Sequence, residues 1–323
     1  MKKSTISDIV LAVTYRCNSR CRMCGIWQIT EHKPEFLPSV LANLPKTLKS
    51  LNLTGGEPFL RADLPEFITQ AKKTCPGVKI IISSNGFATE LILKQMTQIL
   101  AIDSTVGVAL SLDGVGARHE AVRGIEHGFD KVMATLTGLK QLGVKSLKLA
   151  FTIADYNYDQ LQPVYALAKK HQVEFTVAAV HSGEAYFKKD NTLDLKTKIA
   201  DQLIWLSKQE LATWQPKRWV RAFFAYGLAY YVNTGQRVLP DYSGQKNIFI
   251  DPQGNVYPND VTNMVIGTIS DMTKIKSETN TLAPNWMICT AREAIRSHPL
   301  PVIAWIITHK FLGKKTSYEN SLS

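Results

Sequence analysis

Cysteine is scarce in this chain, with five in 323 residues, an odd number, and three of them fall between positions 17 and 24. That usage argues against a disulfide framework and for a metal or redox role in a reducing compartment. No stretch of 18 consecutive apolar residues occurs, so no membrane-spanning helix is expected. The start, MKKSTISDIVLAVTYRC, offers two lysines and then only the short apolar run IVLAV. That run is too short for a signal-peptide core and lacks a small-residue cleavage site, so a mature cytoplasmic N-terminus is expected. Acidic residues are in the minority, 27 against 38 basic, giving a net charge of +11. Such a balance suits an acidic partner, a phosphate-bearing substrate or an anionic membrane surface. Nucleic acid is not expected, because no zinc-finger pair, RNP-type motif or basic-region helix accompanies the charge. With 45% hydrophobic and 20% charged residues the composition is that of a globular protein.

What is present is a rhythm. Apolar runs at 8–14, 50–54, 78–83, 106–112, 146–153 and 174–180 read as strands. Amphipathic stretches lie between the later ones. LPEFITQAKK places Leu64, Phe67, Ile68 and Ala71 at helical spacing; ELILKQMTQIL and FDKVMATLTGLKQLG behave alike, with Gly143 as a C-cap, and LQPVYALAKKHQ completes a further unit. Strands that are nearly continuous in apolar residues, each followed by a helix, predict parallel pairing with both faces covered. Six units fit a partial β/α barrel with function on the loops at the C-terminal strand ends, or a doubly wound open sheet. Past residue 190 the rhythm changes: helices are expected over 192–210 and 217–232, the second densely aromatic. NIFIDPQGNVYP then reads as a β-hairpin turning at Asp251-Pro252-Gln253-Gly254.

Cys17, Cys21 and Cys24 are spaced C-x3-C-x2-C in the loop after the first strand. Zinc would take the three sulfurs and a fourth ligand, for which His32 is the nearest candidate. An iron–sulfur cubane would take three sulfurs and leave one iron open to a substrate or cofactor. The spacing resembles the signature of the radical S-adenosylmethionine (radical SAM) enzymes, and further motifs follow in that family's order. TGGEP (54–58) matches the family's glycine-glycine-glutamate motif after the second strand; SSNG (83–86) follows the third strand, and SLDG (111–114) follows the fourth, with Arg123 beyond it. The resemblance covers roughly residues 8–180. It implies a partial (β/α)6 barrel of the radical SAM type with a small α+β C-terminal extension, divided as 1–212 and 213–323. It also implies one 4Fe–4S cluster held by Cys17, Cys21 and Cys24. Gly55, Gly56 and Glu57 would seat the methionine end of SAM, with Ser84, Asn85, Ser111, Asp113 and Arg123 as ribose and carboxylate contacts. The implied activity is reductive cleavage of SAM to a 5′-deoxyadenosyl radical that abstracts hydrogen from an organic substrate the sequence does not identify. The natural electron donor would be an acidic flavodoxin or ferredoxin, which a chain of charge +11 suits.

DPQGNVYPND and NWMICTAR resemble the SPASM extension of that superfamily, where cysteines hold auxiliary clusters. Here Asn259 and Asn285 stand at cysteine positions and Cys289 is left alone. A degenerate extension without its auxiliary cluster is expected, which favours redox-neutral outcomes and leaves Cys289 either a hydrogen-atom donor or a buried packing residue. A peptide-modifying SPASM maturase is the enzymatic alternative, and a structural zinc or iron–sulfur protein the non-catalytic one. Cys75 reads as incidental. His181, Glu184 and Tyr186 form a loop where a substrate could meet the radical, though such residues in a polar loop are also ordinary solvated ones. The aromatic stretch from Trp219 to Tyr230 reads as core. The tail, LPVIAWIITHKFLGKK, has two readings: a terminal helix docked on the barrel with a basic end, or a segment in peripheral contact with an anionic membrane.

Overall fold

The computed structural model describes residues 6–275 and 285–313. Six strands, β1 (Asp8–Thr14), β2 (Ser50–Gly55), β3 (Lys79–Ser84), β4 (Gly107–Ser111), β5 (Leu147–Ile153) and β6 (Glu174–Ala179), lie side by side in chain order and all parallel. Each matches its sequence expectation to within a residue or two. Helices α1 (Leu64–Thr74), α2 (Thr89–Ile102), α3 (Ala117–Arg123), α4 (Gly128–Gln141) and α5 (Leu161–Lys170) cover the outer face. On α1 the four spaced apolar residues, Leu64, Phe67, Ile68 and Ala71, are all buried. Gly143, at φ +79°, ends α4, with the Val144 N–H reaching back to the Leu139 carbonyl, as a Schellman cap requires. The arrangement is the partial barrel rather than the doubly wound sheet, because strand order never reverses.

Why β1 is apolar from Ile9 to Val13 is visible in its two faces. Ile9, Leu11 and Val13 enter the layer between sheet and helices. Val10 and Ala12 point to the barrel interior, where they meet Tyr15, Ile26, Phe249, Met287 and Cys289. Between β1 and β2 there is no α-helix; short 3-10 turns at Ile26–Gln28 and Pro38–Asn43 carry the chain across. The ladder with β2 shifts register between Ala12 and Thr14, a bulge that re-aims the chain just before the cysteine loop.

Two antiparallel helices follow β6, α6 (Lys196–Leu211) and α7 (Pro216–Thr234), and the boundary expected at 212/213 falls in the turn between them. The expected hairpin forms as β7 (Asn247–Ile250) and β8 (Asn255–Tyr257), with the two-residue β9 (Gly267–Thr268) beyond. β7 pairs in parallel with β1, so the hairpin extends the barrel sheet from its other edge. Phe249 faces the barrel interior, and Ile248 and Ile250 the outer layer. Helix α8 (Ile288–Ser297) locks this closure: Arg292 holds the fully buried Asp8 with Nε and Nη2 bonds of 2.6 and 2.7 Å. Burial pushes the Asp8 carboxyl up, and Arg292 works against that.

The terminal helix α9 (Pro299–Ile306) continues into a π-type turn over Ile307–Phe311. Val302 and Ile306 are buried, and Trp305 packs against Phe223 and Tyr226 of α7. Lys310 Nζ donates to the carbonyls of Leu211 and Thr213 at 2.7 and 2.8 Å, tying the tail to the end of α6. The docked reading therefore holds for one face of this segment.

Candidate functional site

At the C-terminal ends of the strands one cavity brings together Cys17, Cys21, Cys24, Gly55, Gly56, Ser84, Asn85, Ser111 and Arg123. These residues come from the last positions of β2, β3 and β4, the loops that follow β1, β2 and β3, and the end of α3, which the sheet topology places side by side.

The cysteine loop is held on three sides. Gly56 N–H and Glu57 N–H bond to the carbonyls of Thr14 and Arg16, so the loop after β2 continues as a ladder along the start of the cysteine loop. A Cβ on Gly55 would lie 2.2 Å from the Thr14 carbonyl oxygen, and one on Gly56 2.2 Å from that of Arg16. The paired glycines are thus dictated first by contact between two loops, and Gly55 also needs its φ of +125°. On the second side the C-terminal end of α3 clamps residues 19–22: Arg20 N–H and Ser19 Oγ donate to the Arg123 carbonyl, and Arg22 N–H to that of Val122. On the third, Gly25 N–H donates to the Phe187 carbonyl from the loop after β6.

Around the sulfurs the contacts are polar. Ser19 Oγ lies 3.0 Å from Cys21 Sγ, Asn85 Nδ2 lies 3.9 Å from Cys17 Sγ, and Arg123 Nη1 lies 3.5 Å from Cys21 Sγ. Burial pushes the Cys17 and Cys24 thiols up to about 12, so they would ionise only against a positive centre. Among the described residues no other Cys, His, Asp or Glu lines this cavity. His32 lies in a second cavity with Glu35 and Asp251, and among the described residues no three such side chains converge on a single-ion position. The donor set fits a cluster spread over three thiolates and does not form a closed zinc site with His32.

Glu57 and Asp113 stand behind the cavity wall rather than on it. The Glu57 carboxylate is fully buried and accepts from Ser84 Oγ (3.0 and 3.1 Å), Asn85 N–H (2.7 Å) and Phe59 N–H (3.2 Å). Burial raises its pKa to about 7 against the pull of those donors. Asp113, also fully buried, accepts from Thr152 N–H and lies 2.6 Å from Arg123 Nε. His119, which burial holds neutral with a pKa of about 3, accepts from the Asp113 N–H. Burial alone would weaken the Arg123 charge; Asp113 and Cys21 more than restore it.

Cys289 is buried in the barrel interior beside Phe249 and Met287, and does not line the cavity. Burial raises its thiol well above the ordinary range. Cys75 closes α1, its sulfur on the Pro45 carbonyl. Of the loop after β6, Tyr186 and Phe187 reach the cavity, and the Tyr186 hydroxyl lies 3.0 Å from Thr54 Oγ1. His181 sits behind them, its ring 4.7 Å from that of Phe187, and Glu184 is exposed. Asn259 and Asn285 have structural work: Asn259 Oδ1 accepts from Val261 and Thr262 N–H, and Asn285 Oδ1 accepts from Thr290 Oγ1. Sequence reasoning missed α3 and Phe187. For α3 the signal was present, since Gly124 after ARHEAVR is a left-handed helix stop.

Residues 11–168 match the family model of the radical SAM superfamily. They form a radical SAM domain. Members of that superfamily use a 4Fe–4S cluster and SAM, and the three cysteines and the glycine pair described above lie inside the matched stretch. Among curated proteins the chain is similar to the Fe-coproporphyrin III synthase of Methanosarcina barkeri, 27% identical over 173 residues, 51% of this chain and 41% of that one. It is also similar to the mycofactocin maturase MftC of Mycolicibacterium smegmatis, 31% identical over 165 residues, 49% of this chain and 41% of that one. Each match thus spans less than half the relative's length. The solved structure of native anSMEcpe with bound AdoMet superposes with a TM-score of 0.59 at 16% identity, over 93% of this chain and 99% of that one. The likeness of fold therefore runs past residues 11–168.

Proposed function

We propose that this chain is a radical SAM enzyme that cleaves SAM reductively and abstracts hydrogen from an organic substrate. The observation that carries the reading is the cavity holding Cys17, Cys21 and Cys24 with no fourth ligand among the described residues, walled by Gly55, Gly56, Ser84, Asn85 and Ser111. A 4Fe–4S cluster held by Cys17, Cys21 and Cys24, with SAM beside it, would supply one-electron reduction and, through it, hydrogen abstraction from carbon.

The chain's own groups do the holding. The three thiolates bind the cluster, and the exposed edges of Gly55 and Gly56 with Ser111 and Arg123 receive the methionine and ribose ends of SAM. Glu57 and Asp113 are positioning residues: Glu57 fixes the Ser84–Asn85 turn, and Asp113 fixes Arg123. Tyr186 and Phe187 mark the side from which substrate enters. Residues 213–323 act as a SPASM-like extension without an auxiliary cluster, because Asn259 and Asn285 cap local turns where ligands would stand. Without a second electron acceptor, a redox-neutral transformation is favoured. Reduction falls to an acidic flavodoxin or ferredoxin in the cytoplasm, drawn to a chain of charge +11.

The test is electron paramagnetic resonance on anaerobically reconstituted, dithionite-reduced protein, with and without SAM, followed by assay for 5′-deoxyadenosine. One cubane signal that changes shape with SAM, and 5′-deoxyadenosine that disappears in Cys21→Ala, are expected. Stoichiometric zinc, or a signal indifferent to SAM, would overturn the reading in favour of a structural metal protein.

A further inference from the structure

The terminal segment is apolar on both faces, and only one face is used. Val302 and Ile306 pack inward. Leu300, Ile303, Ile307 and Phe311, at spacings of three and four, form a stripe along the other side, and Leu312 and Trp214 extend it. Leu300 is 77% exposed, Trp214 79% and Leu312 63%. Phe311 ties the patch together, its ring 6.5 Å from Trp214 and 6.0 Å from Trp219.

The surroundings of this stripe are basic. Arg296 pairs with Glu293, and from there to Glu319 the sequence has no acidic residue but carries Lys310, Lys314 and Lys315. Beside Trp219, Lys217 and Arg221 share the single carboxylate of Glu174 with Lys148, leaving an excess of positive charge at the start of α7. A contiguous apolar stripe bordered by an aromatic pair and lysines matches an anionic bilayer surface, with side chains among acyl chains and ammonium groups among headgroups. A symmetric dimer through this face would set like charges against each other.

We propose that the face formed by Leu300, Ile303, Ile307, Phe311, Leu312 and Trp214 binds peripherally to a membrane bearing anionic lipid. This surface is distinct from the cofactor cavity, and the proposal does not depend on the reaction. Nor does it require a span: among the described residues no helix is long and apolar enough to cross a membrane.

The experiment is flotation of the full chain with vesicles of phosphatidylcholine alone or mixed with phosphatidylglycerol, at low and high salt. Binding to the mixed vesicles alone, weakened by salt, is expected. Leu300→Ser with Ile303→Ser should reduce it by at least about tenfold while leaving iron content and melting behaviour unchanged. Lys314→Gln with Lys315→Gln, a change of charge outside α9, should reduce it several-fold. No flotation with either vesicle, or equal flotation of the Leu300/Ile303 variant, would overturn the proposal. So would concentration-dependent dimerisation lost in that variant without vesicle binding, which would assign the face to a second copy.

Discussion

Arg123 donates a hydrogen bond from Nη1 to the sulfur of Cys21 at 3.5 Å, with its Nε held 2.6 Å from the buried Asp113. One guanidinium thus joins the loop after β4 to the cysteine loop, and it places a fixed positive charge against a thiol expected to ligate iron. A donor to a ligating sulfur stabilises the more negative, reduced cluster. Arg123→Lys should lower the cluster's reduction potential by on the order of tens of millivolts, read by potentiometric titration of the paramagnetic signal. Asp113→Asn should leave Arg123 charged and poorly paired, at a cost of about 3–5 kcal/mol in a denaturant melt.

Cys17→Ala, Cys21→Ala and Cys24→Ala should each abolish the visible charge-transfer absorbance that follows reconstitution. Cys75→Ala and Cys289→Ala should retain full iron content, since neither sulfur reaches the cavity. Loss of iron in Cys289→Ala would move the ligand set.

A methyl group at position 56 has nowhere to go, with the Arg16 carbonyl 2.2 Å from its ideal site. Gly56→Ala should cost about 1–3 kcal/mol and lower iron retention together, because the displaced neighbour is the cysteine loop itself. Melting and iron assays on the same preparation check the coupling.

Glu57 carries a pKa of about 7 in the fold against an ordinary 4.5, so folding takes up a proton between those values. Its contribution is complete below about pH 4.5 and is lost as the pH rises to about 7, on the order of 3 kcal/mol. The apo-protein should therefore lose stability over that window through this residue. In Glu57→Gln the window should flatten, although overall stability falls because the amide sets an N–H against the donors of Ser84, Asn85 and Phe59. Denaturant melts at stepped pH separate the two effects.

Arg292→Ala should leave the buried Asp8 with only Arg296, 3.9 Å away, and cost about 3–5 kcal/mol, with a rise in the apparent carboxyl pKa. A matching loss of near-ultraviolet signal from Trp286, next to α8, would mark detachment of the C-terminal region.

Much of this was legible in the sequence for a physical reason. Strands with neighbours on both faces are apolar over most of their length, so β1 to β6 announced themselves, and α1 showed its spacing because only one of its faces is buried. The three cysteines were equally plain, since their spacing sits on one loop. What a sequence cannot carry is which way a side chain turns at a strand end. Glu57 and Asp113 look like cofactor contacts in GGE and SLDG, yet both carboxylates turn inward to bind loop donors. The same limit hid the parallel pairing of β7 with β1, because a hairpin pattern specifies its own turn and not the edge it will join. It also hid the two-sidedness of α9, where an unbroken apolar run gives no stripe to read.

That pairing sets an order of events during synthesis. β1 leaves the ribosome with the cysteine loop directly behind it, well before the strand that covers its outer edge and the arginine that neutralises Asp8. Until they arrive, the cysteine-bearing end of the sheet has an open flank and a buried-to-be carboxylate in water.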